Sequence, residues 1–260
     1  MEQNLSKKTR TESDLIGSRE VPKSALYGVQ TLRGIENFRI SKFHLNEYPL
    51  FIQALAITKM GAAVANRELD LLTEEQADAI LKACKEILEG KHHDQFPVDM
   101  IQGGAGTTTN MNANEVIANR ALELMGHQRG EYQYCSPNDH VNRSQSTNDA
   151  YPTAIHIGLY YTHLKLVKHF EVLIESFRKK ATEFAHVIKM GRTQLEDAVP
   201  MTLGQTFNGF ASILRHEVKN LDFAAQDFLT VNMGATAIGT GITAEPEYAE
   251  KCIAALRKIT

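Results

Sequence analysis

Three polar clusters interrupt an otherwise apolar, helical rhythm in the 260-residue chain: QGGAGTTTN at 102–110, SQSTND at 144–149 and GRTQLEDA at 191–198. Their side chains are mostly hydroxyls and amides, neutral groups suited to orienting an anionic ligand. The first two lead directly into stretches that read as helices, and the third lies in the turn between two long ones. A helix start exposes unpaired N–H groups and the positive end of the helix dipole, which suits carboxylate or phosphate. The same residue types also cap helices and make turns without binding anything. Gly104-x-Gly106 is not a dinucleotide fingerprint: the third glycine of G-x-G-x-x-G would fall at Thr109, no flanking strand is evident, and no P-loop lysine follows. Periodicity alone does not name a reaction.

Other chemistry is sparse. The ten histidines are scattered without an H-E-x-x-H spacing, and adjacent His92 and His93 do not share a helix face, so no metal site is expected. Cys84, Cys135 and Cys252 form no C-x-x-C pair, which argues against a disulfide framework or zinc ribbon and for a reducing, cytoplasmic compartment. Cys84 falls on an apolar stripe and reads as a buried thiol. With 28 Lys and Arg against 31 Asp and Glu, the net charge of −3 argues against a nucleic-acid or membrane-surface protein. No apolar run reaches the ~20 residues of a spanning helix. The first twelve residues, MEQNLSKKTRTE, have no signal-peptide core.

The elements that must carry these clusters are helical. Hydrophobic residues at 43% and charged residues at 23% are ordinary globular composition. TEEQADAILKACKEILEG at 73–90 opens with a capping box, Thr73 with Gln76, and repeats apolar residues on one helical face. Residues 50–68 and 110–125 read as helices too. From about 148 to 188 the residues Ile155, Leu159, Leu166, Phe170, Leu173, Phe177, Ala181, Phe184 and Ile188 trace one face of a helix roughly 60 Å long. A second stripe runs from Leu203 to Val231, and a short helix is expected at 246–259. Short strands are expected only near Tyr27–Thr31 and Arg39–Ile40. The fold class is therefore mainly α: a small mixed N-terminal domain, residues 1–142, followed by the first part of a long-helix bundle, residues 143–260.

The motifs GGAGTTTNMNANEVIANRA (103–121), HVNRSQSTNDAYPTAIHI (140–157) and KMGRTQLEDAVPMTLGQTF (189–207) resemble those of the aspartase/class II fumarase family. ESDLIG (12–17), VPKSALYGVQT (21–31) and GATAIGTGI (234–242) resemble further stretches of that family, in the same order. Gln194, where fumarases usually carry a histidine after the G-R-T, and QGGAG at 102–106 resemble the aspartase branch. Ser136-Pro-Asn-Asp139 departs from the fumarase H-P-N-D pattern, which puts a second anion site of that kind in doubt.

The resemblance implies the family's long-helix bundle and reversible deamination of L-aspartate to fumarate and ammonia, with no organic cofactor. A base removes a proton from Cβ, the carbanion is delocalised into the adjacent carboxylate, and ammonia leaves. Stabilising that developing charge is the main task. By motif position, Thr107, Ser146 and Thr147 would hydrogen-bond the carboxylate where charge builds, and Asn148, Thr193 and Gln194 would orient the amino group. The small dicarboxylate substrate would be held in a homotetramer whose central helices share one bundle, each active site drawing on three subunits. The family's base is a serine in a loop of pattern G-S-S-x-x-P-x-K-x-N-P. No Ser-Ser pair and no P-x-K-x-N-P occurs in the 260 residues, so the chain is expected to be the N-terminal part of a longer enzyme, without a catalytic residue and inactive alone. His186 and Glu196 flank the third cluster but match no catalytic position of the family. The alternatives are a class II fumarase and a non-catalytic helical assembly protein that keeps the fold.

Overall fold

The computed structural model describes residues 8–260 and begins with a hairpin. In chain order its main elements are β1 (Thr9–Asp14), β2 (Gly17–Pro22), α1 (Val29–Asn37), α2 (Pro49–Glu68), α3 (Glu74–Leu88) and α4 (Thr107–Leu124). They are followed by α5 (Thr147–Glu183), β3 (Ile188–Thr193), β4 (Glu196–Thr202), α6 (Leu203–Ala225) and α7 (Tyr248–Ile259). β1 pairs antiparallel with β2, from Thr9 opposite Pro22 to Asp14 opposite Gly17, and β3 pairs antiparallel with β4.

Two local expectations are corrected. Residues 27–31 are not a strand but lead into α1, and Arg39–Ile40 is not a strand either. The strand-like composition at 27–31 is overridden by Glu115 of α4. Its carboxylate accepts from the backbone N–H groups of Gly28, Gln30 and Thr31 and from the Thr31 hydroxyl, at 2.6–3.0 Å. That caps a helix start whose own Gly28 offers no side chain. The first hairpin instead forms around Asp14, whose Oδ1 accepts from Ile16 N and Gly17 N.

The chain packs into two units: residues up to Gly158 together with Val231–Thr260, and Leu159–Thr230. Ala150 and Ala154 at the start of α5 are buried in the first unit at 1% and 0% exposure. The core of this unit is built on α2, which is buried on nearly every side and packs against α3 and α7; α3 and α1 in turn pack on α4. Ile52, Leu55, Ile80, Ile87, Ile117 and Leu122 are fully inside, each contributing ~1.5–3 kcal/mol by leaving water. Thr73 and Gln76 make the reciprocal capping bonds their spacing predicts, and Cys84 is buried.

In the second unit, the later turns of α5 and the helix α6 meet through a cluster of phenylalanine rings. Phe177, Phe184, Phe207 and Phe210 have ring centroids 5.6–6.2 Å apart. The two expected stripes are only partly covered. Phe177, Phe184 and Phe207 are half-buried, whereas Leu159, Leu166, Leu173 and Phe210 stand 42–46% exposed. Among the described residues no helix is long and apolar enough to cross a membrane.

Candidate active site

The first polar cluster folds as a loop pinned to the start of α4. Gly106, at φ 88°, is the residue before the helix and has no capping side chain. Gln102 supplies the cap: its Oε1 accepts from Thr109 N at 2.8 Å while its Nε2 donates to Thr109 Oγ1 at 2.6 Å. The N–H groups of Thr107 and Thr108 keep the orphan status of a first helical turn. Thr107 itself is exposed. Glycine is required at 106 by its φ and by space, since a Cβ there would overlap the Tyr151 ring. Asp99 anchors the loop's approach by accepting from Ile40 N, Ser41 N, Ser41 Oγ and Ile101 N.

The second cluster is the start of α5. Ser146 Oγ accepts from Asn148 N at 3.1 Å, and Asp149 Oδ1 accepts from Ser146 N at 2.9 Å, the reciprocal bonds of a helix start. Thr147 is half-buried, and its Oγ1 accepts from the Asn110 amide at 3.2 Å. Asn148 is exposed; its Nδ2 donates to Ala237 O at 2.8 Å, which leaves Oδ1 as an acceptor. Asp149 is fully buried, and its other oxygen accepts from Gly234 N and Thr236 N, tying the GATAIGTGI stretch to this turn. The structure therefore brings the first two clusters together. Gln102, Gly104, Gly106 and Asn148 share the lining of one cavity of about 750 Å³ with Met100, Tyr151 and Ile155. The only titratable lining side chain is Tyr151, whose phenol is pushed up by burial. The Gln102 and Asn148 amide N–H groups are already engaged, so this wall offers Asn148 Oδ1 as an acceptor and no base near neutrality; Thr107, Ser146 and Thr147 are not among its lining residues.

Sequence reasoning missed the layer beneath. Lys59 of α2 is 1% exposed, and its Nζ donates to Asn110 Oδ1, Asn142 Oδ1 and Gln145 Oε1 at 2.7, 2.9 and 2.8 Å. The available signal was a single lysine in the otherwise apolar run ALAITKMGAAV at 54–64.

The third cluster is a hairpin, where only a turn between long helices was expected. Thr193 and Gln194 lie at its tip in the second unit, and both are exposed. Gln194 and Leu195 close the two-residue loop at φ 49° and 70°. Such loops normally use Asn and Gly, and a non-glycine residue held there costs of order 1–3 kcal/mol, a cost concentrated at functional positions. His186 and Glu196 are exposed beside it.

The sequence profile of a family described as Lyase matches residues 17–260. The chain belongs to this lyase family. The chain is 54% identical over 257 residues to an aspartate ammonia-lyase of Escherichia coli K12, covering 98% of this chain and 54% of that one. To an aspartate ammonia-lyase of Pseudomonas fluorescens it is 56% identical over 252 residues, covering 96% of this chain and 53% of that one. A solved fumarate lyase:delta crystallin from Brucella melitensis superposes with a TM-score of 0.92 at 51% identity, over 96% of this chain and 55% of that one. A class II fumarase from Schistosoma mansoni superposes with a TM-score of 0.88 at 36% identity, over 96% and 53%. The chain thus spans about half the length of the curated relatives it matches.

Proposed function

We propose that the whole protein deaminates L-aspartate reversibly to fumarate and ammonia, and that this chain supplies the neutral groups that hold the substrate. The strongest support is the 54–56% identity to aspartate ammonia-lyases, against 36% to the class II fumarase. Gln194 in the fumarase histidine position agrees with it. In this reading Thr107, Ser146 and Thr147 donate to the carboxylate that gathers charge as Cβ loses its proton, at helix starts whose dipoles favour that charge. Asn148, with Nδ2 committed to Ala237 O, turns its Oδ1 to accept from the substrate ammonium. Thr193 and Gln194 are proposed to act on the same ammonium in the assembled protein, a homotetramer. No group in the 260 residues matches the family's serine base, so the C–H bond is broken by a residue outside them. The N-terminal region and long-helix bundle are proposed to divide near residue 142, and the location to be cytoplasmic.

The test is fumarate formation by the full-length protein, offered L-aspartate or L-malate separately. Turnover of L-aspartate with release of ammonia is expected. Rapid turnover of L-malate with none of L-aspartate would replace this reading with the hydratase one.

A further inference from the structure

The ammonium buried beneath the two helix starts does more than fill space. A protonated amine has three N–H donors and a neutral one has two. Lys59 Nζ has three carbonyl acceptors within 2.9 Å, so the geometry requires the charged form. Burial pulls this ammonium down to about 7, while the Asp149 carboxylate works in the other direction. None of its three hydrogen-bond partners is acidic, so its positive charge is not cancelled by direct contact.

Three amide oxygens facing one cation fix the orientation of three amides. Gln145 turns its Nε2 to Val141 O, and Asn142 its Nδ2 to Gln145 O. Asn110 turns its Nδ2 to Asn142 Oδ1 at 3.1 Å and to Thr147 Oγ1 at 3.2 Å. With an N–H arriving, Thr147 Oγ1 is the acceptor in that bond, and its single hydroxyl hydrogen is left to point elsewhere. An Asn110 amide turned the other way would present oxygen to Thr147 and draw that hydrogen inward. Chains of hydrogen bonds that begin at a charge also polarise their last member.

We propose that Lys59 is a positioning residue: acting through Asn110, it holds the Thr147 hydroxyl as a donor directed at the substrate carboxylate. This rests on reading the whole protein as an L-aspartate-deaminating lyase. It extends that reading from the residues that touch substrate to the one that sets the polarity of a donor among them.

The decisive variant is Asn110→Asp in the full-length protein. A carboxylate there keeps the bond to Lys59 but offers Thr147 an acceptor, reversing the link. Expected is a fall in kcat/KM of ~10²-fold, the scale of losing one preorganised donor, carried by kcat more than KM and without a lower unfolding temperature. In a Thr147→Val background, which has no hydroxyl to redirect, the same change should cost less than about threefold. A loss of equal size in both backgrounds means that the added charge repels the ligand directly, and overturns the relay; so does no loss in either. The protonation of Lys59 is read without any variant, by ¹⁵N NMR of lysine-labelled wild-type protein at about pH 6, below the value of about 7 to which burial brings the group. An ammonium with slowly exchanging protons supports the relay, and a neutral amine overturns it whatever the activity. A wild-type protein inactive on L-aspartate sinks the proposed reaction, and the NMR result then decides the relay alone.

Discussion

The Asn232 side chain donates to the main-chain carbonyl of Asn148 at 3.0 Å. That oxygen is the one Pro152 leaves without a helical partner, because proline has no N–H to return to the residue four before it. Asn148 reaches back through its own amide to Ala237 O. The first turn of α5 and the stretch following Val231 are therefore held together at the point where a proline interrupts the helix ladder.

The first prediction follows from that substitution of donors. Asn232→Ala should destabilise the protein by about 1 kcal/mol, a typical single hydrogen bond. In a Pro152→Ala background, where the helix supplies its own N–H, the same change should cost close to nothing. Denaturant unfolding of the four proteins measures the coupling, and additive effects would mean that Asn232 acts on something else.

The second concerns the site itself. Asn148→Ala or Thr193→Ala in the full-length protein should lower turnover by roughly 10²-fold, with thermal stability changed by no more than the ~1 kcal/mol of a lost cap. Activity that survives while stability falls would assign both residues to the scaffold.

A third prediction uses the strained hairpin. Leu195 is 94% exposed at φ 70°, so it contributes no packing that offsets its conformation in this chain. Leu195→Gly should stabilise the folded chain by about 1 kcal/mol, the relief of a left-handed conformation less the extra freedom of glycine when unfolded. A destabilised variant in chemical denaturation would show that the side chain is buried by a partner in solution.

The fourth is a pH dependence. Burial opposes ionisation of Asp99, but hydrogen bonds from Ile101 N, Ser41 Oγ, Ser41 N and Ile40 N outweigh it and bring the carboxyl from 3.8 to about 2. A depressed folded value means stability that is present above the unfolded value and lost as pH falls through the folded one. The stability gap between wild type and Asp99→Asn should therefore stay constant down to about pH 4 and close towards about pH 2. A gap that is unchanged at pH 2 would contradict this account.

Helices with their own signals were legible from the sequence: the Thr73–Gln76 box and most of the long apolar stripes lie where helices form, although Ile188 falls in β3 and Phe228 and Val231 lie beyond α6. So were the polar clusters as groups. What stayed hidden depends on partners distant in the chain. Residues 27–31 are rich in strand formers and become a helix start because Glu115 reaches them from α4. The 188–202 hairpin is closed by Gln194 and Leu195, which carry none of the usual Asn-Gly turn signal. Lys59 sits in an apolar helix, and its role emerges only when Asn110, Asn142 and Gln145 converge on it from 51, 83 and 86 residues away.

The Glu115 contact also sets an order of events. α1 has nine residues, no capping side chain of its own, and no acidic residue in its first turn. A helix that short does not persist alone in water. Its missing cap lies 84–87 positions downstream. On the ribosome, α1 must therefore wait while α2 and α3 are synthesised, and it can lock only when α4 emerges. Until then the segment that will carry Val29 and Thr31 into the interior is nascent chain exposed to chaperones and proteases, which makes the arrival of Glu115 a timing step in the biogenesis of the protein.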